Sequence, residues 1–410
     1  MTHPHPGSVL VADGDTLSAL AIARSLGRRG IPVWVAASKW SALGAHSRYV
    51  RGRIHHAPPE AHPMGFVSAA EQACKGGRAD LVFPTTDVAL RLVLQHSHRL
   101  PESSLSCLPT TEAADVALDK GRLLRLAESL AIPIPKTHHI ESGDHVDQLA
   151  DQLAYPIVLK ARSSRVCIDG TWIPGAPLYA GDADELRRAY SQIRPVDDTP
   201  ILQEYVPGQG CGVFALMNHG VVRALFGHRR VRENPPQGGV SVVCESCLPH
   251  PVARAGAISL LESLQWHGVA MVEFRIDARD GIPKLMEVNG RFWGSLDLAI
   301  QAGVDFPYLL YRMAQDGDVP MVTSYRLGLR SRWLLGELDR LRTVLLKPAP
   351  ARGVEWPTRR QALRSFLSSW HNGTRCAVER LDDPVPGMIS AVGYGLGSGH
   401  LVMRRIWGGR

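Results

Sequence analysis

A β-hairpin is the most informative part of the sequence: MVEFRID (residues 271–277) and PKLMEVN (residues 283–289) flank an Asp-Gly pair at 280–281. Turn-forming residues between two runs of strand-forming residues predict this structure. If the last residue of the first run pairs with the first residue of the second, Glu273 lies directly opposite Glu287. Asn289 then points to the same face as Glu287, because side chains alternate along a strand.

Two carboxylates opposite each other repel and destabilise a sheet unless a cation lies between them. Carboxylate and amide oxygens are ligands that Mg²⁺ accepts, and this ion commonly shares its coordination shell with phosphates. The hairpin therefore predicts a magnesium site formed by Glu273, Glu287 and Asn289. The alternatives are that one glutamate faces solvent, or that arginines such as Arg275 neutralise both.

Lysine is rare in this chain, with 7 lysines against 39 arginines. Lys160 ends an apolar strand, where a half-buried ammonium needs an anion. Lys120 begins a helix, where a positive charge gains nothing from the helix dipole. A bound phosphate would explain both positions, and it would also suit Arg291, two residues after Asn289. The alternative for each lysine is an ordinary solvent-exposed side chain.

The first part of the chain alternates short apolar strands with amphipathic helices. The strands are predicted at 8–12, 31–36 and 80–84, and strand–helix alternation is typical of a parallel sheet covered on both faces. The loop after the first strand is Asp13-Gly14-Asp15, which lacks the glycine pattern of a dinucleotide site. The sequence thus predicts an α/β fold without favouring a nicotinamide or flavin cofactor.

Composition excludes several other classes of protein. The 410 residues are 45% hydrophobic and 21% charged, which is typical of a globular chain. No apolar run reaches the roughly 18 residues of a membrane span. The first seven residues do not resemble a signal peptide, and seven scattered cysteines do not form a disulfide framework. We therefore expect a cytoplasmic protein without a membrane span.

The positive charge is concentrated at the end of the chain. Residues 321–410 contain 15 basic and 6 acidic residues, whereas the first 320 residues carry a net charge of −2. A basic region of this kind either contacts nucleic acid or forms an ordinary solvated surface. We favour the second interpretation, so nucleic acid is not the expected partner.

The order and spacing of these motifs resemble the ATP-grasp superfamily. The run EVNGRFWGS (residues 287–295) is especially similar to a bacterial subgroup of predicted carboxylate–amine ligases, as are GVDFPY (303–308) and RSRWLL (330–335). The resemblance implies a pre-ATP-grasp α/β domain at 1–115 and an ATP-grasp domain at 116–320. Within the latter it implies an α+β lid at about 136–202 and a core at about 203–320. A basic helical extension would follow at 321–410.

The resemblance also implies a role for each motif. Lys120 and Lys160 would contact the phosphates of ATP, and Glu273, Glu287 and Asn289 would bind Mg²⁺, with Mn²⁺ as an alternative metal. Arg291 would stabilise the transferred phosphoryl group. The adenine would lie at the hinge between lid and core, held by Gln203, Glu204 and Val206.

The implied reaction joins a carboxylate to an amine through an acylphosphate, with both substrates small molecules. Three arginines that follow the strand ending at Phe226 are our candidates for holding the substrate carboxylate: Arg229, Arg230 and Arg232. Two departures from the family pattern stand out. The expected glycine-rich phosphate loop, Ala161 to Pro177, has only two glycines, and Gly210 stands where many members carry an acidic ribose ligand.

Two other functions remain open at this point. One is a catalytically weak ATP-binding regulatory protein on the same fold, and the other is a nucleic-acid-binding protein that uses the basic C-terminal region. A homodimer is compatible with the sequence. No motif of the chain identifies the acid, the amine or the oligomeric state.

Overall fold

The structure, a computed structural model, describes residues 7–368 and 373–395. Its first sheet has four parallel strands in the order β3-β2-β1-β4. The side chain of Thr16 caps the helix after the first strand, which turns the chain sharply behind the sheet. This sheet confirms the parallel α/β arrangement predicted for the first part of the chain. Its elements are β1 (Val9–Ala12), α1 (Leu17–Gly27), β2 (Val33–Ala37), β3 (Gly52–His55), α2 (Pro63–Lys75), β4 (Leu81–Pro84) and α3 (Asp87–Gln95).

Two helices, α4 (Thr111–Ala117) and α5 (Lys120–Ser129), connect this sheet to the next. The side chain of Asp119 caps α5 and places Lys120 as its first residue. A second, antiparallel sheet follows, with the strand order β5-β10-β6-β9 and a separate hairpin formed by β7 and β8. Its elements are β5 (Thr137–His139), α6 (Gly143–Ala150), β6 (Ile157–Lys160), β7 (Arg165–Ile168), β8 (Thr171–Pro174), β9 (Leu178–Ala180), α7 (Ala183–Ile193) and β10 (Ile201–Glu204).

A seven-stranded sheet forms the largest layer, in the order β15-β14-β11-β12-β13-β16-β17. Apolar side chains on both of its faces are buried, one face against α1, α9 and α10 and the other against α5 and α8. The long central strands of this sheet are thus packed on both faces and can position the side chains of a site. The elements up to this point are β11 (Gly208–Asn218), β12 (Val221–Asn234), β13 (Val240–Ser246), α8 (Pro251–Ser263), β14 (Gly268–Asp277), β15 (Pro283–Asn289), α9 (Leu296–Ala302) and α10 (Phe306–Asp316).

The C-terminal region differs from the predicted helical extension, because two of its segments are strands that extend the seven-stranded sheet. These are β16 (Arg330–Arg332), which pairs with β13, and β17 (Thr374–Cys376), which pairs with β16. The helices are α11 (Leu334–Leu346), α12 (Arg359–Leu367) and α13 (Val385–Gly393). The sequence predicts a helix from Thr358 to Trp370, of which α12 is the described part; Trp370 lies outside the described residues, as do residues 396–410.

A buried ion pair ties this region to the first sheet. Arg24 on α1 donates from Nε to Asp383 (2.9 Å) and from its two other nitrogens to the carbonyls of Ala377 and Val378 (2.8 Å each). The side chains of Arg24 and Asp383 are 2% and 0% exposed. The C-terminal segment is therefore part of the folded body. Among the described residues, no helix combines the length and the apolar character needed to span a bilayer.

Candidate active site

The β14–β15 hairpin brings the two predicted metal-binding carboxylates together. Glu273 lies opposite Glu287, as the sequence predicts, and Met271 lies opposite Asn289. Near the turn the register differs by one residue, because Ile276 and not Asp277 faces Pro283. A β-bulge at Met286 adds one residue to β15 and restores the predicted pairing at the glutamates. The amide nitrogen of Asn289 lies 3.4 Å from Oε1 of Glu287, so three oxygen-bearing side chains share one face.

Cations surround both carboxylates. Glu273 forms an ion pair with Arg230, and Oε2 of Glu287 lies 3.4 Å from Nζ of Lys120. Burial opposes ionisation of Glu287, but Lys120 and Lys160 outweigh it and hold its pKa at about 2. Burial raises the pKa of Glu273 above its ordinary value, although Arg230 acts in the opposite direction.

The two predicted phosphate-binding lysines both lie close enough to Glu287 to lower its pKa. Lys160 donates from Nζ to Oε1 of Gln203 (2.7 Å), and burial together with the charge of Lys120 lowers its pKa to about 8. Lys120 donates to the hydroxyl of Ser164 (2.9 Å), and its backbone N–H donates to the carbonyl of Arg162 (2.7 Å). The start of α5 is thereby joined to the loop that follows β6, where phosphates would be covered.

The hinge residues are held by their own network. The Gln203 amide donates to the hydroxyl of Thr137 (2.9 Å) as well as accepting from Lys160. The Glu204 carboxylate accepts from the backbone N–H of Lys136 (3.0 Å) and pairs with Arg279 (2.9 Å) and Lys284 (3.1 Å). Val206 is buried. The side chains of Gln203 and Glu204 are thus committed to protein contacts, and the backbone N–H groups of Glu204 and Tyr205 donate to the carbonyls of Lys136 (3.0 Å) and Pro156 (3.1 Å).

The structure also explains the glycine at position 210. A Cβ atom at Gly210 would lie 2.9 Å from Cδ of Arg230 and 3.0 Å from Oε1 of Glu233. Arg230 donates to this same oxygen (2.9 Å) and to the carbonyl of Gly239 (3.0 Å). A larger side chain at position 210 would therefore displace the ion pair, and Glu233 supplies a carboxylate at this place instead.

The three arginines predicted to hold the substrate carboxylate lie in different environments. The strand they occupy, β12, continues to Asn234, so Arg229 and Arg230 point to opposite faces of the sheet. Arg230 is on the face of Glu273, and both Glu273 and Glu233 raise its pKa although burial lowers it. Arg229 pairs with Glu245 on the other face. Arg232 pairs with the buried Glu337 (2.7 Å) and donates to the carbonyl of Ser365 (2.9 Å).

The first sheet contributes residues that the sequence analysis did not identify. Arg291 donates from Nε to Oδ1 of Asp87 (3.0 Å), the first residue of α3. Arg91, one turn further along this helix, faces the same cavity as Lys120 and Glu287. Ligands of parallel α/β sheets commonly bind beyond the carboxyl ends of the strands, and Asp87 follows the end of β4 by three residues. The remaining lining of this cavity comes from Ala117, Leu118, residues 163–165 and residues 288–289.

The donor set suits a magnesium ion that is shared with a nucleotide. Within residues 7–368 and 373–395, no group of three or more His, Cys, Asp or Glu side chains is arranged as a metal site. Two carboxylates and an amide oxygen are instead the small, hard donor set of an ion that takes its other ligands from phosphates and water. The two flanking lysines provide the matching positive charge for those phosphates.

A family model described as ATP-grasp in the biosynthetic pathway with Ter operon matches residues 197–336, about a third of the chain. A search of curated proteins gives no match. Among solved structures, the chain is similar to biotin carboxylase from Campylobacter jejuni in a β-γ-ATP complex. The TM-score is 0.63 at 17% identity, over 79% of this chain and 74% of that one.

Two further structures show the same likeness. N5-carboxyaminoimidazole synthetase from Staphylococcus aureus has a TM-score of 0.61 at 13% identity, with 79% of this chain and 80% of that chain covered. L-amino acid ligase from Bacillus licheniformis has a TM-score of 0.57 at 17% identity, with 76% and 74% covered. Residues 197–336 thus match an ATP-grasp family model, and the chain has the ATP-grasp fold of these solved structures.

Proposed function

We propose that the protein is an ATP-dependent ligase that joins a carboxylate to an amine through an acylphosphate. One observation carries this proposal: the paired carboxylates Glu273 and Glu287 face Lys120 and Lys160 in one cleft. A half-buried arrangement of two acids and two lysines is costly unless it serves a ligand that carries both signs of charge. A triphosphate with its divalent cation is such a ligand.

Each residue of the cleft has a part in this proposal. Lys120 and Lys160 bind the phosphates, and the hinge at Gln203, Glu204 and Val206 receives the adenine. Glu273, Glu287 and Asn289 hold Mg²⁺, for which Mn²⁺ is an alternative. When bound, the metal neutralises phosphate charge and aligns the reacting oxygens.

Phosphoryl transfer needs positioned charge more than a protein nucleophile. A substrate carboxylate oxygen forms a bond to the γ-phosphorus while the bond to the bridging oxygen breaks and ADP leaves. The amine then attacks the acyl carbon, phosphate departs with its oxygen, and the amine loses one proton. Arg291, held by Asp87, stabilises the charge of the transferred group. Arg229 and Arg232 have no part in this scheme, because one lies on the opposite face and the other is neutralised by Glu337.

The solved relatives support the nucleotide part of this scheme, since one is described with an ATP analogue and another with ADP. Their names also supply the acids and amines to try first. The nucleic-acid alternative is weakened by the described part of the C-terminal region, where Arg330, Arg332 and Arg380 are each paired with a carboxylate. Cytoplasmic location and homodimer formation stay predictions.

A release assay for ADP tests the proposed function. Purified full-length protein with MgATP is mixed with a panel of acids (bicarbonate, dicarboxylates and the amino acids) crossed with a panel of amines (ammonia, amino acids and polyamines). We expect ADP and phosphate release that requires one acid, and a coupled product identified by its mass. The Glu287→Gln variant is the inactive control. Tight MgADP binding without release for any pair would favour the regulatory alternative and contradict the proposal.

A further inference from the structure

The cavity beside the metal-binding carboxylates has walls from three parts of the chain. Lys120 and Glu287 belong to the expected nucleotide site, residues 163–165 come from the loop after β6 and the first residue of β7, and Asp87 and Arg91 come from α3 of the first domain. Most of these side chains are charged or carry a hydroxyl group. A ligand that fills the cavity is therefore expected to be small and polar.

Two arginines line this cavity, Arg91 on α3 and Arg165 at the start of β7, and the guanidinium of Arg91 is fixed by hydrogen bonds to neutral groups. Its guanidinium donates to the carbonyl of Leu118 (3.3 Å) and to the hydroxyl of Ser163 (3.1 Å). The carboxylate paired with it, Asp115, lies 3.7 Å away, and its side chain is 45% exposed whereas that of Arg91 is 16% exposed. Solvent screens such a pair strongly, so little of the Arg91 charge is compensated.

The other arginines around the site are already committed. Arg230 lies 2.9 Å from Glu233 and also contacts Glu273, and Arg291 lies 3.0 Å from Asp87. Arg230, with two close carboxylates, has little capacity for a third anion, and Arg291 is the residue proposed to stabilise the transferred phosphoryl group. Arg91 differs because its two neutral partners fix its orientation while leaving its charge for a ligand.

We propose that Arg91 binds the carboxylate of the acid substrate, so that the first domain selects the acid. This inference rests on the proposed ligase function and identifies the acid as a small, polar carboxylate. A guanidinium matches a carboxylate in a bidentate fashion, which would orient one oxygen towards the phosphate held at Lys120 and Glu287. Ser163 contacts Arg91 directly, so it would connect the bound acid to the loop after β6, which would cover the phosphates.

Steady-state kinetics of full-length variants test this assignment, with the acid that the release assay selects as the probe. In Arg91→Gln we expect the KM for the acid to rise about 10- to 100-fold, the loss typical of one charge-assisted contact. Arg91→Lys should be intermediate, because an ammonium keeps the charge without the bidentate geometry. The Kd for MgADP, measured by calorimetry, should change less than about twofold in both.

Arg99→Gln is the matched control, because Arg99 lies in the same domain, is paired with Glu71, and does not line the cavity. Its kinetic constants should equal those of the wild type. Thermal unfolding of all three variants separates loss of substrate binding from loss of fold. If Arg91→Gln misfolds, Arg91→Lys still decides the question through its KM for the acid.

The outcomes separate this inference from the proposed function. An unchanged KM for the acid in the Arg91 variants would overturn the assignment while leaving the ligase intact. A parallel loss of MgADP affinity would also overturn it, since Arg91 would then bind nucleotide phosphate. Absence of acid-dependent ADP release in the wild type would instead remove the proposed function itself, and the assignment with it.

Discussion

The affinity for nucleotide should depend on pH through Lys160. Burial and the nearby Lys120 lower the pKa of this ammonium group to about 8 in the protein without ligand. A bound phosphate favours the charged form and raises the pKa again. Below pH 8 the lysine is already protonated, so binding is strongest there. Above pH 8 the protein must first take up a proton, and affinity falls as pH rises.

The magnitude follows from the pKa. At pH 9, one unit above it, about nine-tenths of the free protein has lost this proton, so the Kd for MgADP should be about tenfold higher than at pH 7. Calorimetry at both pH values, in buffers of different ionisation enthalpy, measures the affinity and the proton taken up. Lys160→Arg keeps its charge over this range and should show a flat profile. If the Kd for MgADP of the wild type does not change with pH, or if it changes equally in the arginine variant, then the Lys160 ammonium group does not control nucleotide affinity.

Three further variants probe other parts of the molecule. Glu287→Gln should lower ADP release by about 10²- to 10³-fold with an unchanged circular-dichroism spectrum, because it removes a charge needed at the reacting phosphate; near-wild-type release would exclude Glu287 as a metal ligand. Asp87→Asn should lower kcat about tenfold with an unaltered Kd for MgADP, because Arg291 loses its counter-charge; a change confined to Kd would contradict a positioning role. Asp383→Asn should reduce the free energy of unfolding in urea by about 3–5 kcal/mol, because it leaves Arg24 buried and uncompensated; a loss under about 1 kcal/mol would contradict that reading.

The β14–β15 hairpin could be predicted from the sequence because the alternation of side chains along a strand constrains it strongly. Any register in which Glu273 and Glu287 face each other also places Asn289 on their face. The bulge at Met286 could not be predicted, since one extra residue leaves no mark on the hydrophobic pattern. The predicted pairing of Glu273 with Glu287 is correct, whereas the predicted pairing of Asp277 with Pro283 near the turn is wrong. The bulge accounts for the difference, because it shifts the register by one residue between these two points.

The substrate arginines show how the length of one strand decides an assignment. The sequence predicted that β12 ends at Phe226, because the following Gly-His-Arg-Arg run is polar. The strand in fact continues to Asn234, paired with β11 as far as Arg229 and with β13 from His228 to Asn234. Continuous pairing then separates Arg229 from Arg230 across the sheet. Tertiary pairing outweighed local composition here, which is the usual reason that strand ends are predicted poorly.

Asp87 and Arg91 could not be assigned from the sequence for a different reason. They lie about 200 residues before Arg291 and Glu287, and only the packing of α3 against the core brings them to the cavity. Their spacing of one helical turn is common on any helix and carries no specific signal. Their contact with the site depends on how two sheets are joined, which local patterns do not encode.

Three ion pairs are present in the cleft before any ligand binds. Lys120 lies beside Glu287, Arg230 beside Glu273, and Asp87 beside Arg291. A metal ion alone would meet the positive charges of both lysines, and a triphosphate alone would meet two carboxylates. A triphosphate with its metal ion would replace both partners at once. Lys120 would then contact phosphate in place of Glu287, and the Glu287 carboxylate would contact the metal ion. The same three pairs make a half-buried, highly charged cleft compatible with a stable fold, because Glu287, Glu273 and Asp87 each have a cation beside them.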